Sequence, residues 1–148
     1  MATLSFRAAV AGWADKVEGA VEAVFKEASQ EVVEEMQTTR KEGGRMRVDT
    51  GFLWASLMAS TSAMPRINPN ALPVKGQQYT FDMDQIEAVI IGADLGDELY
   101  FGYTAAYAAH REYGARGQPA DAFVRLAVQN WPIVVDRKAA ELKARLGL

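Results

Sequence analysis

The sequence predicts an α+β domain: a long N-terminal helix and a C-terminal helical segment packed on a small antiparallel sheet, with a long projecting loop over residues 64–78. Three observations predict it. Apolar residues recur at steps of three and four through the first forty positions, and the same period returns from Asp121 onward. Between them lie short β-branched or alternating runs separated by turns rich in glycine and proline. At 148 residues, 49% of them hydrophobic, the chain has the size of a single domain over 1–148 and material for an ordinary core.

The N-terminal helix is carried by Phe6, Val10, Trp13, Val17, Val21, Val24, Ala28, Val32 and Met36, with Asp15, Glu18, Glu22, Glu34 and Glu35 largely on other faces. At 1.5 Å per residue it would be roughly 50 Å long, so part of it is expected to bend or to reach a neighbour. Gly12 and Gly19 are its weak points, each costing about 1 kcal/mol relative to Ala. Gly43-Gly44 is the expected stop. Arg40, Lys41, Arg45 and Arg47 crowd around that pair. They read as a solvated linker in which Arg40 and Lys41 complement the helix dipole, or as a contact for DNA inside a ring or for an acidic partner surface.

Asp49 or Thr50 is expected to open a short helix near residues 50–57, and Ala59-Ser60-Thr61-Ser62 to begin a strand. Pro65, Pro69, Pro73 and Gly76, with Asn68 and Asn70, allow neither helix nor central strand over 64–78. Loops of that length are usually functional or mobile. Glu87-Ala88-Val89-Ile90-Ile91-Gly92 reads as the clearest strand, Tyr79–Met83 and Leu99–Tyr103 as others, and Asp94-Leu95-Gly96-Asp97 as a turn. Three or four such strands suffice for a small sheet with one face to be covered. A helix through Tyr107 and Tyr113 should close at Gly114 in the left-handed conformation. The last helical stretch holds Phe123, Leu126, Ala127, Trp131, Val134, Val135, Leu142 and Leu146. Pro132 should kink or break it, giving one bent helix or two segments meeting near Asn130-Trp131.

The absence of cysteine excludes disulfides, thiolate metal sites and cysteine nucleophiles. Arg7, Asp15 and Lys16 interrupt any secretory signal, and no apolar run is long enough to span a bilayer. The single histidine, His110, rules out metal sites built on two histidines, and Glu112 is poorly spaced to orient it as a base. Asp82, Asp84, Asp94, Asp97 and Glu98 do not follow an EF-hand pattern and read as turn-capping residues. No phosphate loop and no serine elbow is present. Asp49-Thr50-Gly51 matches the catalytic triplet of aspartic proteases, but that chemistry needs paired carboxylates in a strand-flanked turn, and the context here is helical. No residue is nominated as catalytic, cofactor-binding or metal-binding.

Net charge is −3, which does not favour nucleic acid as the principal partner. Between Gly76 and His110 there is no Lys or Arg, while Asp82, Asp84, Glu87, Asp94, Asp97 and Glu98 fall there. From Arg111 onward basic residues predominate. An acidic middle and a basic end suit a head-to-tail ring; scattered solvated charges or an internal pairing are the other readings.

Two islands carry a resemblance. In the first, Thr50, Gly51, Leu53, Ser56 and Leu57 fit a Thr-Gly-x-Leu-x-x-Ser-Leu turn; in the second, Tyr107, Glu112, Tyr113 and Gly114 precede Ala122-Phe123-Val124-Arg125. In order and spacing the chain resembles the tail-completion or neck (head-tail joining) proteins of tailed bacteriophages. Phe52 stands where that family often has a basic residue, and Ala122 where it often has proline. The resemblance implies a non-enzymatic virion protein assembled in the host cytoplasm, of a phage or a prophage-derived particle. It implies a homo-oligomeric ring, six-fold or matched to a twelve-fold portal, that contacts portal, adaptor or tail-tube proteins, with DNA near its lumen and no membrane or cofactor. Interface candidates are Arg45, Arg47, Pro69, Asp94, Asp97, Arg116 and Arg125. A tail-terminator or head-closure ring, a non-viral cytosolic interaction module, and a metal-dependent hydrolase using the Asp82–Glu98 region are the alternatives.

Overall fold

A computed structural model describes residues 6–147, leaving the first five positions of the expected N-terminal helix, the Phe6 side chain and Leu148 outside the described residues. The fold is α+β. In chain order it comprises α1 (Phe6–Gln37), a 3-10 turn (Arg40–Glu42), α2 (Phe52–Ala55), β1 (Leu57–Ser60), α3 (Met83–Gly92), β2 (Tyr100–Tyr103), α4 (Ala108–Tyr113), α5 (Phe123–Gln129) and α6 (Trp131–Leu146).

The 32-residue α1 runs unbroken through Gly12 and Gly19 and is about 48 Å long. Its C-terminal half is the axis of the core: Ala28, Val32, Val33 and Met36 are buried, with α3, α5 and α6 packed around them. From Arg7 to Gly19 nearly every position is exposed. The helix ends at Gln37 rather than at Gly43-Gly44. There the Thr38 hydroxyl donates back to the Glu34 carbonyl at 2.7 Å, and a separate 3-10 turn begins in which the Glu42 carboxylate accepts from the Thr39 N–H. Gly43, with φ +92°, closes that turn.

The sheet has two antiparallel strands, with Leu57 opposite Tyr103 and Ser60 opposite Tyr100. The strand expected over Glu87–Gly92 is instead helix α3, and of the strand expected over Tyr79–Met83, residues 79–82 are loop leading into that helix and Met83 is its first residue. The Asp82 carboxylate accepts from the Asp84 N–H at 3.0 Å, an N-cap, and Ile86 and Ile90, four apart, are buried while Ile91 is 69% exposed. The β-branched run thus yields to a cap and a helical burial period. The 64–78 loop has no regular structure and is largely exposed. It is tied to the body where the Asn68 N–H donates to Thr104 O and the Ala106 N–H donates to Ala71 O.

The C-terminal stretch is two helices meeting at Asn130, with Pro132 in the first turn of α6, where its missing N–H costs nothing. Asn130 anchors the corner on the Glu35 carboxylate at 2.8 Å, and Phe25 meets Trp131 edge to face. α6 then runs back along α1. Arg137 and Lys138 pair with Glu31, Arg145 pairs with Glu27, and Lys16 Nζ donates to Leu146 O. Among the described residues no helix is long and apolar enough to cross a membrane.

Candidate functional site

The two sequence islands, some fifty residues apart, fold against one another. In the first, the Thr50 hydroxyl accepts from the Phe52 N–H at 3.3 Å and so opens α2, while Asp49 stays exposed. Gly51 has φ +85°, and a Cβ there would lie 2.1 Å from Tyr79 O, because the Tyr79 N–H donates to Thr50 O at 2.7 Å. Only glycine satisfies both demands. Leu53 and Leu57 are core residues, and the Ser56 hydroxyl closes α2 on Leu53 O. Trp54 Nε1 donates to Gln37 O, the Gln37 amide donates to Trp54 O, and the Tyr103 hydroxyl donates to Gln37 Oε1 at 2.5 Å. Gln37 thereby joins α1, α2 and β2. Burial, reinforced by the nearby Glu112 carboxylate, pushes the Tyr103 phenol well above its ordinary value.

In the second island Glu112 is the organiser. Although it belongs to α4, its carboxylate accepts the Val124 and Arg125 N–H groups, each at 2.9 Å, and so caps the start of α5 from outside that helix. Arg125 Nε adds an ion pair at 3.0 Å, and its guanidinium lies 4.8 Å from the centre of the Tyr113 ring. Gly114 closes α4 with φ +84° and ψ 151°, not in the left-handed helical conformation expected but in an extended one that is essentially reserved to glycine. Ala122 is held at φ +52° by the Ala122 N–H bond to Glu112 O and the Asp121 N–H bond to Arg111 O. Phe123 is buried in the core, edge to face with Tyr103.

Asp121 links the islands to the basic segment. It is fully buried, and its carboxylate lies 2.6 Å from Arg47 Nε and 3.2 Å from Arg40 Nη2. The Arg47 Nε contact is a charge contact only, since that N–H is not aimed at an acceptor. Arg45 Nε donates to Asp121 O, and the remaining Arg47 nitrogens donate to Gln118 Oε1 and Pro119 O, both at 3.0 Å. The expected solvated linker is therefore a docked loop, and Arg40 faces Asp121 instead of the end of α1. Two guanidinium groups, those of Arg40 and Arg47, share one carboxylate and a third, that of Arg45, docks on the Asp121 carbonyl, so the cluster keeps a surplus of positive charge. Arg111, His110 and Arg116 border it across two shallow clefts of about 240 and 350 Å³.

The interface candidates thus separate. Arg45 and Arg47 converge on Asp121, and Arg125 is engaged by Glu112. Arg116, φ +52°, stands exposed at the tip of the 115–118 turn near that face. Pro69 is exposed on the long loop. Asp94 and Asp97 form one turn, in which the Asp97 carboxylate accepts from the Asp94 N–H at 2.8 Å. Among the described residues no three acidic or histidine side chains group closely enough to hold a metal ion. Sequence reading placed Glu112 in the second island but not as the cap of α5, and it missed Gln37 and Asp121 as organisers. Of the two missed, Asp121 left a signal, as the last acidic residue before an apolar helix. Among the described residues the basic end pairs with Glu27, Glu31, Glu112 and its own Glu141, not with the acidic middle.

In comparisons with known proteins, no family model, no curated sequence and no solved structure matched the chain.

Proposed function

We propose that the chain is a structural subunit of a bacteriophage head-tail connector, a neck protein that forms an oligomeric ring for tail completion. The observation that carries this reading is the convergence of the two islands. The residues on which the resemblance rests (Thr50, Gly51, Leu53, Ser56 and Leu57; Tyr107, Glu112, Tyr113 and Gly114) act together as scaffold. They cap α2 and α5, and Phe52 and Tyr107 bring the two islands into ring contact at 6.3 Å. Their chemistry is that of a shape held for assembly, without turnover. The surplus-positive face around Arg40, Arg45, Arg47, Arg111 and Arg116 suits an acidic neighbour or DNA in a lumen.

Solution mass across concentration and salt, followed by imaging of any oligomer, tests the reading. A closed ring is expected, either alone or on addition of portal or tail-tube proteins. A chain that stays monomeric and binds neither would refute it. Tail-terminator and head-closure roles share this architecture and are distinguished by which of those two rings captures the protein.

A further inference from the structure

Two surfaces of this chain match each other and have no partner among the described residues. The first is a groove of about 780 Å³ along the free half of α1, lined by Trp13, Val17, Ala20, Val24 and, from α6, Leu142. Trp13 is 61% exposed there, and Val21 beside it in the groove lining is 53% exposed, so the exposure is a contiguous apolar patch rather than a single scattered residue. The charged residues lining the groove are Lys16 and Lys143, both basic. By the 100° step of a helix, Asp15, Glu18 and Glu22 fall on the far side of α1. The second surface is the end of α3 and the turn after it. Ile91 and Leu95 protrude, 69% and 52% exposed, beside Asp94, Asp97 and Glu98. Ala93, buried, and the Asp94–Asp97 hydrogen bonds hold this knob in shape.

We infer that the Ile91–Leu95 knob of one copy seats in the Trp13–Val17–Val24 groove of the next, with Asp94 and Asp97 against Lys16 and Lys143. Charge decides the occupant. A symmetric pairing of two grooves would bring four lysines together around one apolar seam, whereas knob into groove sets acid against base on both rims. Direction agrees. α3 meets α1 through Lys26 and Gln30, which lie about 130° around the helix from the Trp13–Val17–Ala20–Val24 stripe, so knob and groove face away from each other. Two different patches on opposed sides make a heterologous contact, the kind that closes into a ring or runs on as a filament. The inference rests on the ring reading only in taking the partner to be a second copy of this chain.

The chain has no cysteine, which makes the test direct. Full-length Val17→Cys and Leu95→Cys proteins are mixed and mildly oxidised, and the products are read on non-reducing gels beside native mass. A disulfide-linked dimer is expected from the mixture, with little from either protein alone, and a ladder from the double variant. Val17→Cys linking to itself would overturn the inference in favour of symmetric pairing. A ring by native mass with no cross-link would overturn it while sparing the ring reading. A monomer with no cross-link, and no binding to portal or tail-tube rings, would sink both. As a second route, Asp94→Lys and Lys143→Glu should each weaken association about tenfold and together restore it, since neither side chain takes part in an ion pair among the described residues.

Discussion

Replacing Asp121 by Asn keeps the shape of the side chain and removes the one negative charge shared by Arg40 and Arg47, while the Asp121 carbonyl that holds Arg45 stays. Removing one member of a fully buried ion pair costs about 3–5 kcal/mol. Here the cost is smaller, because the partners retain water and other acceptors: the Arg40 side chain is 50% exposed and that of Arg47 is 22% exposed. Arg47 also keeps Gln118 Oε1 and Pro119 O. Taking about 0.5 kcal/mol for the Arg40 contact and about 1.5–2 kcal/mol for the half-buried charge contact of Arg47, below the range for a fully buried pair, the expected loss is about 2–2.5 kcal/mol. For a chain of this length that corresponds to roughly 5–9 °C in Tm. Urea unfolding followed by circular dichroism measures it, and a double-mutant cycle apportions it. Asp121→Asn with Arg47→Met should show a coupling of about 1–2 kcal/mol, and Asp121→Asn with Arg40→Met less than about 0.5 kcal/mol. Stability of Asp121→Asn within about 0.5 kcal/mol of the parent, or a larger coupling to Arg40 than to Arg47, would refute the view of Asp121 as the buried anchor of the basic loop.

Gly51→Ala should cost more than about 3 kcal/mol, because it adds a clash with Tyr79 O to a positive φ, whereas Gly43→Ala, with positive φ and open space, should cost about 1 kcal/mol; thermal unfolding of the pair separates clash from strain. Glu112→Gln should lower stability by about 1–2 kcal/mol and speed amide exchange at Val124 and Arg125 more than at the middle of α6, since it weakens the cap of α5 and unpairs Arg125. For Tyr103, whose folded pKa is raised, the folded state keeps a proton that the unfolded chain loses. Its contribution is full below the ordinary value of 10.0 and fades as pH rises from there toward the folded value. Unfolding midpoints across that alkaline range should therefore fall less steeply for Tyr103→Phe, which is also less stable near neutrality by about 1 kcal/mol because Gln37 Oε1 loses its donor.

The helices at both ends were legible because a long amphipathic period is a strong signal, and Pro132 marked their boundary in the C-terminal segment as its chemistry requires. The 87–92 segment was not. β-branched residues outvoted a cap at Asp82 whose partner is only two residues away, and the helix is settled by the burial of Ile86 and Ile90 against β1 and α1. At the site, local features such as the Thr50-Gly51 turn and the closing Gly114 could be placed from sequence. The partners could not. Glu112 reaches twelve positions to Val124, Arg40 eighty-one to Asp121 and Gln37 sixty-six to Tyr103, and no local pattern encodes such separations.

Folding divides the charges that sequence alone could only count. The basic end is largely consumed within the chain, Arg137, Lys138 and Arg145 along α1 and Arg125 on Glu112, in contacts that are mostly exposed and individually worth about 1 kcal/mol or less. Asp94 and Asp97 enter no ion pair among the described residues, and neither does Lys16. What the Ile91–Leu95 knob and the Trp13 groove offer a second copy is therefore not the gross acidic and basic halves of the sequence but two small sets of charges, each rimming apolar surface. Apolar contact supplies most of the attraction at such a junction, and the charges fix which surface meets which. An α1 that outruns its own core has a physical rationale on this view, since the stripe it leaves uncovered is the seat for the α3 end of the next copy.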